Sequence, residues 1–406
     1  MNIKTLALSC AILPLSGLGA WAANCTPALS AGATITCTGS TLDGLVSGSL
    51  DDVTITVETG ALLSNTADHA IKLDDRITVT NSGVITSSAK DGINTDKDLH
   101  LVNRGAIIGA DEGVQADDRL LLDNYGTIIG ADEGVEGGDD SAIYNEGTIT
   151  GVDDAVQLAT GAYIENHGTI ANVYAGGTDP QDAIDLDDGE IFNLGTITST
   201  YDAAIDFDAN VANDATPAEA AGDAFGQGYV YNTGTIAGKQ GVTTDHRANS
   251  EQYIETYGLI SGWDGTALDL YGGEDTVYLG VGSVIDGASF FGTGDDYLIF
   301  DLSGAALTTD LFDGGDDFDT VSFTDYLFAD IASFSWTNDV LELVFNTGFT
   351  TYLSSWERYA FATDTGVDVY DVSAFLPAVP VPAPFVMLGS ALGAFGLIRR
   401  RRARRA

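Results

Sequence analysis

Three aspartates carry the clearest chemical pattern in this chain. Asp275, Asp296 and Asp319 follow one another at steps of 21 and 23 along the sequence, each after a glycine-rich stretch. The stretches are Gly272-Gly273-Glu274-Asp275, Gly292-Thr293-Gly294-Asp295-Asp296-Tyr297-Leu298 and Gly314-Gly315-Asp316-Asp317-Phe318-Asp319-Thr320-Val321. Carboxylates beside glycine-turn carbonyls form the all-oxygen donor set that Ca²⁺ takes. A second set, Asp91, Glu112, Glu133, Asp154 and Asp182, sits just before a recurring apolar residue. A third, Asp74, Asp96, Asp117, Asp187, Asp208 and Asp245, lies three residues beyond that apolar residue. Paired carboxylates also hydrolyse glycosides, and Asp185, Asp206 and Asp208 lie near the chain's longest insertions. Basic partners there are few, namely Lys239, Arg247, His167 and His246. Acidic pairs recur so widely that none stands out as a catalytic site.

Something must hold these acids at a constant spacing. Ile85, Ile107, Ile128, Ile149, Ile170, Ile197, Ile236 and Ile260 each lie two residues after a glycine. Seven of those glycines follow an asparagine by two: Asn81, Asn103, Asn124, Asn145, Asn166, Asn193 and Asn232, with Thr256 in the eighth copy. The first five copies of the unit N-x-G-x-I recur at steps of 22, 21, 21 and 21. Such a period marks one coil of a solenoid. Apolar residues two before each asparagine, and pairs such as Val156 with Leu158, give three short strands per coil with alternating faces. The fold class is therefore all-β: a single-stranded parallel β-helix, right-handed by precedent. Stacked asparagines would bond from coil to coil at about 4.8 Å, and asparagine tolerates the left-handed region at a bend. The column reads as scaffold.

The expected organisation is a leader over 1–22, an N-terminal cap and first coil over 23–58, and the β-helix over 59–320. An aromatic antiparallel cap would follow over 321–376, and a tail over 377–406. Two coils are enlarged, with steps of 27 from Asn166 to Asn193 and 39 from Asn193 to Asn232. Insertions of this kind often build a binding face. Trp336 and Trp356 in the cap are candidates for sugar stacking.

Formal net charge is −44. Lys4 and six terminal arginines hold 7 of the 16 basic residues, so the body carries 9 against 60 acids. Nucleic-acid binding is excluded on that ground. Stacked unit charges at coil spacing repel by about 0.9 kcal/mol in water and more near protein. The ladders therefore need salt, protonation or bound cations, unless they are simply a solvated acidic face.

The ends speak of export. Lys4, the apolar run Leu6 to Leu18 and Ala20-Trp21-Ala22 read as a cleavable secretory signal. Cys25 and Cys37 then remain, and two cysteines in an exported protein most simply form a disulfide. At the other end, Val379-Pro380-Val381-Pro382-Ala383 precedes an apolar run, Phe385 to Ile398, and then Arg399, Arg400, Arg401 and Arg402. Fourteen helical residues span about 21 Å, short of a ~30 Å hydrocarbon core.

Two resemblances add to this. The tail resembles the VPLPA type of the PEP-CTERM sorting signals, with Val381 where the name-giving leucine would be. That likeness covers only the stretch from Val379 to Ala406. It implies an exosortase-type membrane protease as partner and transient inner-membrane anchoring through the tail. It further implies an exported location, at the surface or outside a Gram-negative cell. The three glycine turns resemble the RTX nonapeptide G-G-x-G-x-D-x-U. The resemblance implies Ca²⁺ held by Gly272, Gly273, Asp275, Gly292, Gly294, Asp296, Gly314, Gly315 and Asp319. Their spacing departs from it, with one turn per coil where the family has one per nonapeptide.

The expectation is an exported structural or adhesive β-helix that binds Ca²⁺ and meets extracellular polysaccharide or matrix. A polysaccharide lyase or glycoside hydrolase on the same fold is the alternative. A concave groove joining a basic residue to two or three acids would favour the enzyme.

Overall fold

The computed structural model describes residues 25–173, 181–207, 227–244, 250–303 and 308–376. The leader, the sorting residues Val379, Pro380, Pro382, Ala383 and Arg399 to Arg402, and Asp208, Asp245, His246 and Arg247 lie outside them. The chain is an all-β parallel solenoid of about 12 turns with antiparallel strands at its C-terminal end. No helix among the described residues is long and apolar enough to cross a membrane.

Each early coil has three sides. Thr78–Asn81, Val84–Ser87 and Ile93–Lys97 form one coil, and His100–Asn103 begins the next. Each strand pairs in parallel and in register with its successor, as Asn81 with Asn103 and Ile85 with Ile107. The isoleucine column is fully buried from Ile85 to Ile260. It extends one copy beyond the repeated motif at each end, to Leu63 and to Ile285. Burying one such side chain contributes roughly 1.5–3 kcal/mol, and the burial is mutual between coils, so a lone coil has no core.

The asparagines form the ladder their spacing predicts. Nδ2 of Asn81, Asn103, Asn124 and Asn145 each donates to the next Oδ1 at 2.8 Å. Asn166 and Asn193 continue it at 2.9 Å, and Asn232 ends it on Thr256 Oγ1 at 3.1 Å. The two enlarged coils keep this register, so their extra residues leave the scaffold undisturbed.

The left-handed conformation expected at the asparagines occurs elsewhere. Asp52, Arg76, Asp98, Arg119 and Asp140, with φ between 55° and 60°, form a column two residues before the first side's strands. The motif glycine serves close approach instead: a Cβ on Gly105 would stand 2.0 Å from the Gly83 carbonyl oxygen.

The cross-section then changes. Thr235–Thr244 is one long strand that pairs with both Thr196–Thr198 and Ile205–Phe207. The corner between the second and third sides is straightened from here on. The asparagine position also changes character, running Thr256, Leu279, Phe300, Phe323 and Phe361 in register. Phe300, Phe323 and Phe361 stack with centroids 5.2 and 5.0 Å apart.

The cap is less separate than the sequence suggests. Thr320–Phe323 still pairs in parallel with the coil before it, and Arg358–Thr363 pairs in parallel with Thr320–Phe323. Ile331–Thr337 and Val340–Phe345 form an antiparallel hairpin inserted into that last coil. At the other end Thr34–Cys37 already pairs in parallel with Thr54–Val57, and Cys25 is disulfide-bonded to Cys37. Trp356 is buried and donates to the Phe312 carbonyl, so it packs the cap and offers no ring to a sugar.

Candidate functional site: buried carboxylate columns

The first carboxylate column occupies the corner between the second and third sides. The turn that builds it is Gly109-Ala110-Asp111-Glu112-Gly113, repeated at Gly130 to Gly134. Its first glycine is obligatory: a Cβ on Gly109 would lie 1.7 Å from the Glu112 carbonyl oxygen. The glycine after Asp91, Glu112 and Glu133 donates to the next acid's carbonyl one coil on, as Gly113 N to Glu133 O at 2.9 Å. These turns place Asp91, Glu112, Glu133, Asp154 and Asp182 one above another. Asp91, Asp154 and Asp182 are buried, and Glu112 and Glu133 are half-buried.

His69 heads the column, which sequence spacing did not show. Its Nδ1 lies 3.0 Å from Asp91 Oδ2. Two groups of three carboxylates follow, Asp91 with Asp111 and Glu112, and Glu112 with Asp132 and Glu133. In each group the oxygens lie within 4.8 Å of one another. Burial, then the hydrogen bond to Asp91, push Glu112 up to about 8. Burial, then the charge of Asp132, push Glu133 up to about 7. Burial, then Asp185, push Asp154 up to about 8, and burial holds Asp182 well above the carboxylate range.

The second column is the three aspartates of the glycine turns. They occupy the residue immediately before each first-side strand, a position that Val53, Ile77, Leu99 and Leu120 fill in early coils. Asp275, Asp296 and Asp319 are accordingly fully buried. One oxygen of each caps the coil before it. Asp275 Oδ1 accepts from Gln252 N at 2.7 Å, Asp296 Oδ1 from Asp275 N at 2.7 Å, and Asp319 Oδ1 from Asp296 N at 2.9 Å. The other oxygen of each, Oδ2, is buried without a hydrogen-bond partner among the described residues. Burial pushes Asp275 up to about 8 and Asp296 and Asp319 up to about 7.

The turns align differently from the linear motif. Gly272 pairs with Thr293, and Thr293 with Asp316. Gly292 and Gly315 therefore stack on Tyr271, all three with positive φ, and Gly273 and Gly294 stack under Asp317, likewise with positive φ. Gly314 lies one residue out of line with Gly292, and its own φ is not positive. Outside the buried aspartates is a groove of about 360 Å³ lined by Gly273, Gly294, Glu251, Glu274, Asp295 and Asp317. The ionisable side chains of the groove are carboxylates only, the chemistry of a hard divalent cation. The orphaned Oδ2 atoms fit such an ion, since a buried unpaired carboxylate is otherwise costly.

Acids beside the third set, though none of its described members, are paired by the chain's own cations. Arg76 reaches Asp52 at 2.7 Å and Asp51 at 2.9 Å, Arg119 reaches Asp98 at 2.6 Å, and Lys97 pairs with Asp118. Asp74, Asp75 and Asp96 still form a three-carboxylate group. Asp185 and Asp206 stack in register on the third side. A groove of about 410 Å³ on that side is lined by Gln115, Asp117, Glu136, Gln157, Asp185 and Asp187, with no basic side chain among its described lining. His167, in the N-x-G turn, is solvent-exposed and pairs with Glu165 at 2.7 Å. Lys239 pairs with Asp202 at 3.2 Å.

No known protein family, curated protein or solved structure matches this chain.

Proposed function

We propose that this protein is an exported structural and adhesive β-helix of the cell surface or extracellular matrix, whose buried carboxylate columns hold Ca²⁺. The observation that carries this reading is the unpartnered Oδ2 of Asp275, Asp296 and Asp319 inside the core. A protein that stacks three unpaired carboxylates in its interior keeps them there either protonated or against a counter-charge. Ca²⁺ supplies it by binding several oxygens at once. Delivery follows from the leader and from the tail that resembles exosortase substrates. Bound Ca²⁺ lets so acidic a body approach anionic polysaccharide, which it otherwise repels.

The enzyme reading draws on the acidic groove at Glu136 and Asp185, whose described lining contains no basic residue of the kind a lyase uses. One experiment addresses both. The full chain is incubated with alginate, pectate and a neutral glycan, with Ca²⁺ and with chelator. Retention on the anionic glycans only with Ca²⁺, and no new reducing ends or unsaturated sugars, is the expected result. Chain cleavage would replace this reading with the enzymatic one, and binding indifferent to Ca²⁺ would remove the bridging role.

A further inference from the structure

The first side of the solenoid carries an aromatic track. Every coil from Leu121–Asn124 to Tyr297–Phe300 places at least one ring on its outer face. The rings are Tyr125, Tyr144, Tyr163, Phe192, Tyr229 with Tyr231, Tyr253 with Tyr257, Tyr278 and Tyr297. Eight consecutive coils at about 4.8 Å make a strip of roughly 34 Å. Neighbouring rings touch: Tyr163 with Phe192 and Phe192 with Tyr229 at 5.5 Å, and Tyr229 stacked on Tyr253 at 5.4 Å and 10°. Tyr125, Tyr163, Tyr253 and Tyr297 are each more than a third exposed. Tyr125 also meets Tyr144, and Tyr257 meets Tyr278, so exposed aromatic surface recurs along the strip, as at sites that take a partner.

Carboxylates interleave with the rings and hold them. Tyr144 donates to Glu146 at 2.5 Å, Tyr257 to Glu255 at 2.7 Å and Tyr163 to Glu165 at 3.3 Å, while Tyr278 donates to Asp301. Glu190 lies between Tyr163 and Tyr229 in register. The platform is thus preorganised, which lowers the ordering cost of binding. It presents π-faces next to negative charge, both of which attract cations. The chain shows that geometry at the first ring of the track and again on the coil after its last. Arg104 lies 4.8 Å over the Tyr125 ring, and Arg358 lies 4.3 Å over the Phe318 ring. Between them no Lys or Arg stands on the outer face of the first-side strands from Leu121 to Phe300.

We infer that this face binds a linear polysaccharide bearing free amines, laid along the solenoid axis. Sugar rings present flat C–H faces to the tyrosines. Protonated amines meet ring faces and the interleaved carboxylates, and hydroxyls donate to those same carboxylates. The strands beneath are paired on both sides, so an extended peptide has no sheet edge to join here. A periodic polymer matches a periodic strip. The inference deepens the adhesive reading by naming a partner class; the rings from Tyr125 to Tyr231 lie on coils before the aspartate column, which the strip adjoins at Tyr253, Tyr278 and Tyr297.

The test is binding of the full chain to a fully deacetylated glucosamine oligomer, to the same oligomer fully N-acetylated, and to polylysine. Wild type should bind the deacetylated oligomer at least about tenfold more tightly than the acetylated one, with binding that weakens as salt rises. Y229A/Y253A should lose about tenfold while its melting is unchanged, and Y229F/Y253F should retain binding. Equal affinity for both oligomers, no loss in Y229A/Y253A, or polylysine bound as tightly as the oligomer would overturn the proposal. Chelator separates the two ideas: oligomer binding that persists without Ca²⁺ supports the track, and Ca²⁺-dependent melting is read independently.

Discussion

Replacing Asn124 by alanine probes the scaffold at its centre. Asn124 is fully buried and accepts from Asn103 Nδ2 at 2.8 Å and from Gly126 N at 3.2 Å. It donates to Asn145 Oδ1 at 2.8 Å and to the Thr148 carbonyl at 3.3 Å. In Asn124→Ala, Asn103 Nδ2 keeps the Thr127 carbonyl at 3.3 Å. Gly126 N and Asn145 Oδ1 lose the partners just named. Each stranded buried group costs about 1–3 kcal/mol, and the small cavity adds to it, giving about 3–6 kcal/mol. Asn124→Thr should cost about half as much. The chain itself uses Thr256 this way, accepting from Asn232 Nδ2 at 3.1 Å and Gly258 N at 3.2 Å. Because coils are coupled to nearest neighbours, the damage should centre on the coils either side. Urea unfolding gives the loss, and amide exchange at Tyr125 and Thr127 locates it. A loss below about 1 kcal/mol for Asn124→Ala, or equal losses for alanine and threonine, would refute the ladder as a source of stability.

Three further outcomes follow from the same geometry. In chelator, melting temperature should fall as pH rises from about 4 to 8. Burial raises Glu112, Glu133, Asp154, Asp275, Asp296 and Asp319, so the fold retains protons that the unfolded chain has released, and that stability is lost as pH passes through 7 to 8. A melting temperature that rises across this window contradicts the burial of these groups. Gly126→Ala should cost at least about 3 kcal/mol, because its Cβ would stand 2.1 Å from the Gly105 carbonyl oxygen; a fully stable variant in urea would show that the coils are not so closely apposed. Reducing Cys25–Cys37 should release up to about 3 kcal/mol of loop-closure stabilisation. Exchange should quicken in Thr34–Cys37 and Thr54–Val57 alone, and quickened exchange at Ile143 or Ile149 would contradict a local cap.

What could be read in advance depended on whether side-chain identity repeats. The isoleucine and asparagine columns were legible because one residue type meets one local need in coil after coil. Ile285 escaped because its coil has Leu279 where the asparagine would stand, and there an aromatic core replaces the amide ladder. The left-handed column was illegible, because aspartate and arginine alternate in it, as at Asp52, Arg76 and Asp98, and no single residue type repeats from coil to coil. The aspartates at 275, 296 and 319 were found by their beat. Their burial was not, since a linear motif does not say which side of the wall a turn residue faces. The glycine alignment slipped by one for the same reason: Tyr271 and Asp317 occupy left-handed positions where the motif expects glycine. The aromatic track was missed because its rings are spread over neighbouring outward positions, which only registered coils bring together.

The most direct test of the proposal that the aspartate wall binds a cation is a Ca²⁺ titration of the full chain followed by thermal melting near pH 8. Millimolar Ca²⁺ should raise the melting temperature by several degrees, as expected for an ion bound only by the folded state. The variant D275N/D296N/D319N should melt higher than wild type in chelator and lose most of the Ca²⁺-dependent rise. No rise in the wild-type protein, or a full rise in the triple variant, would contradict the account.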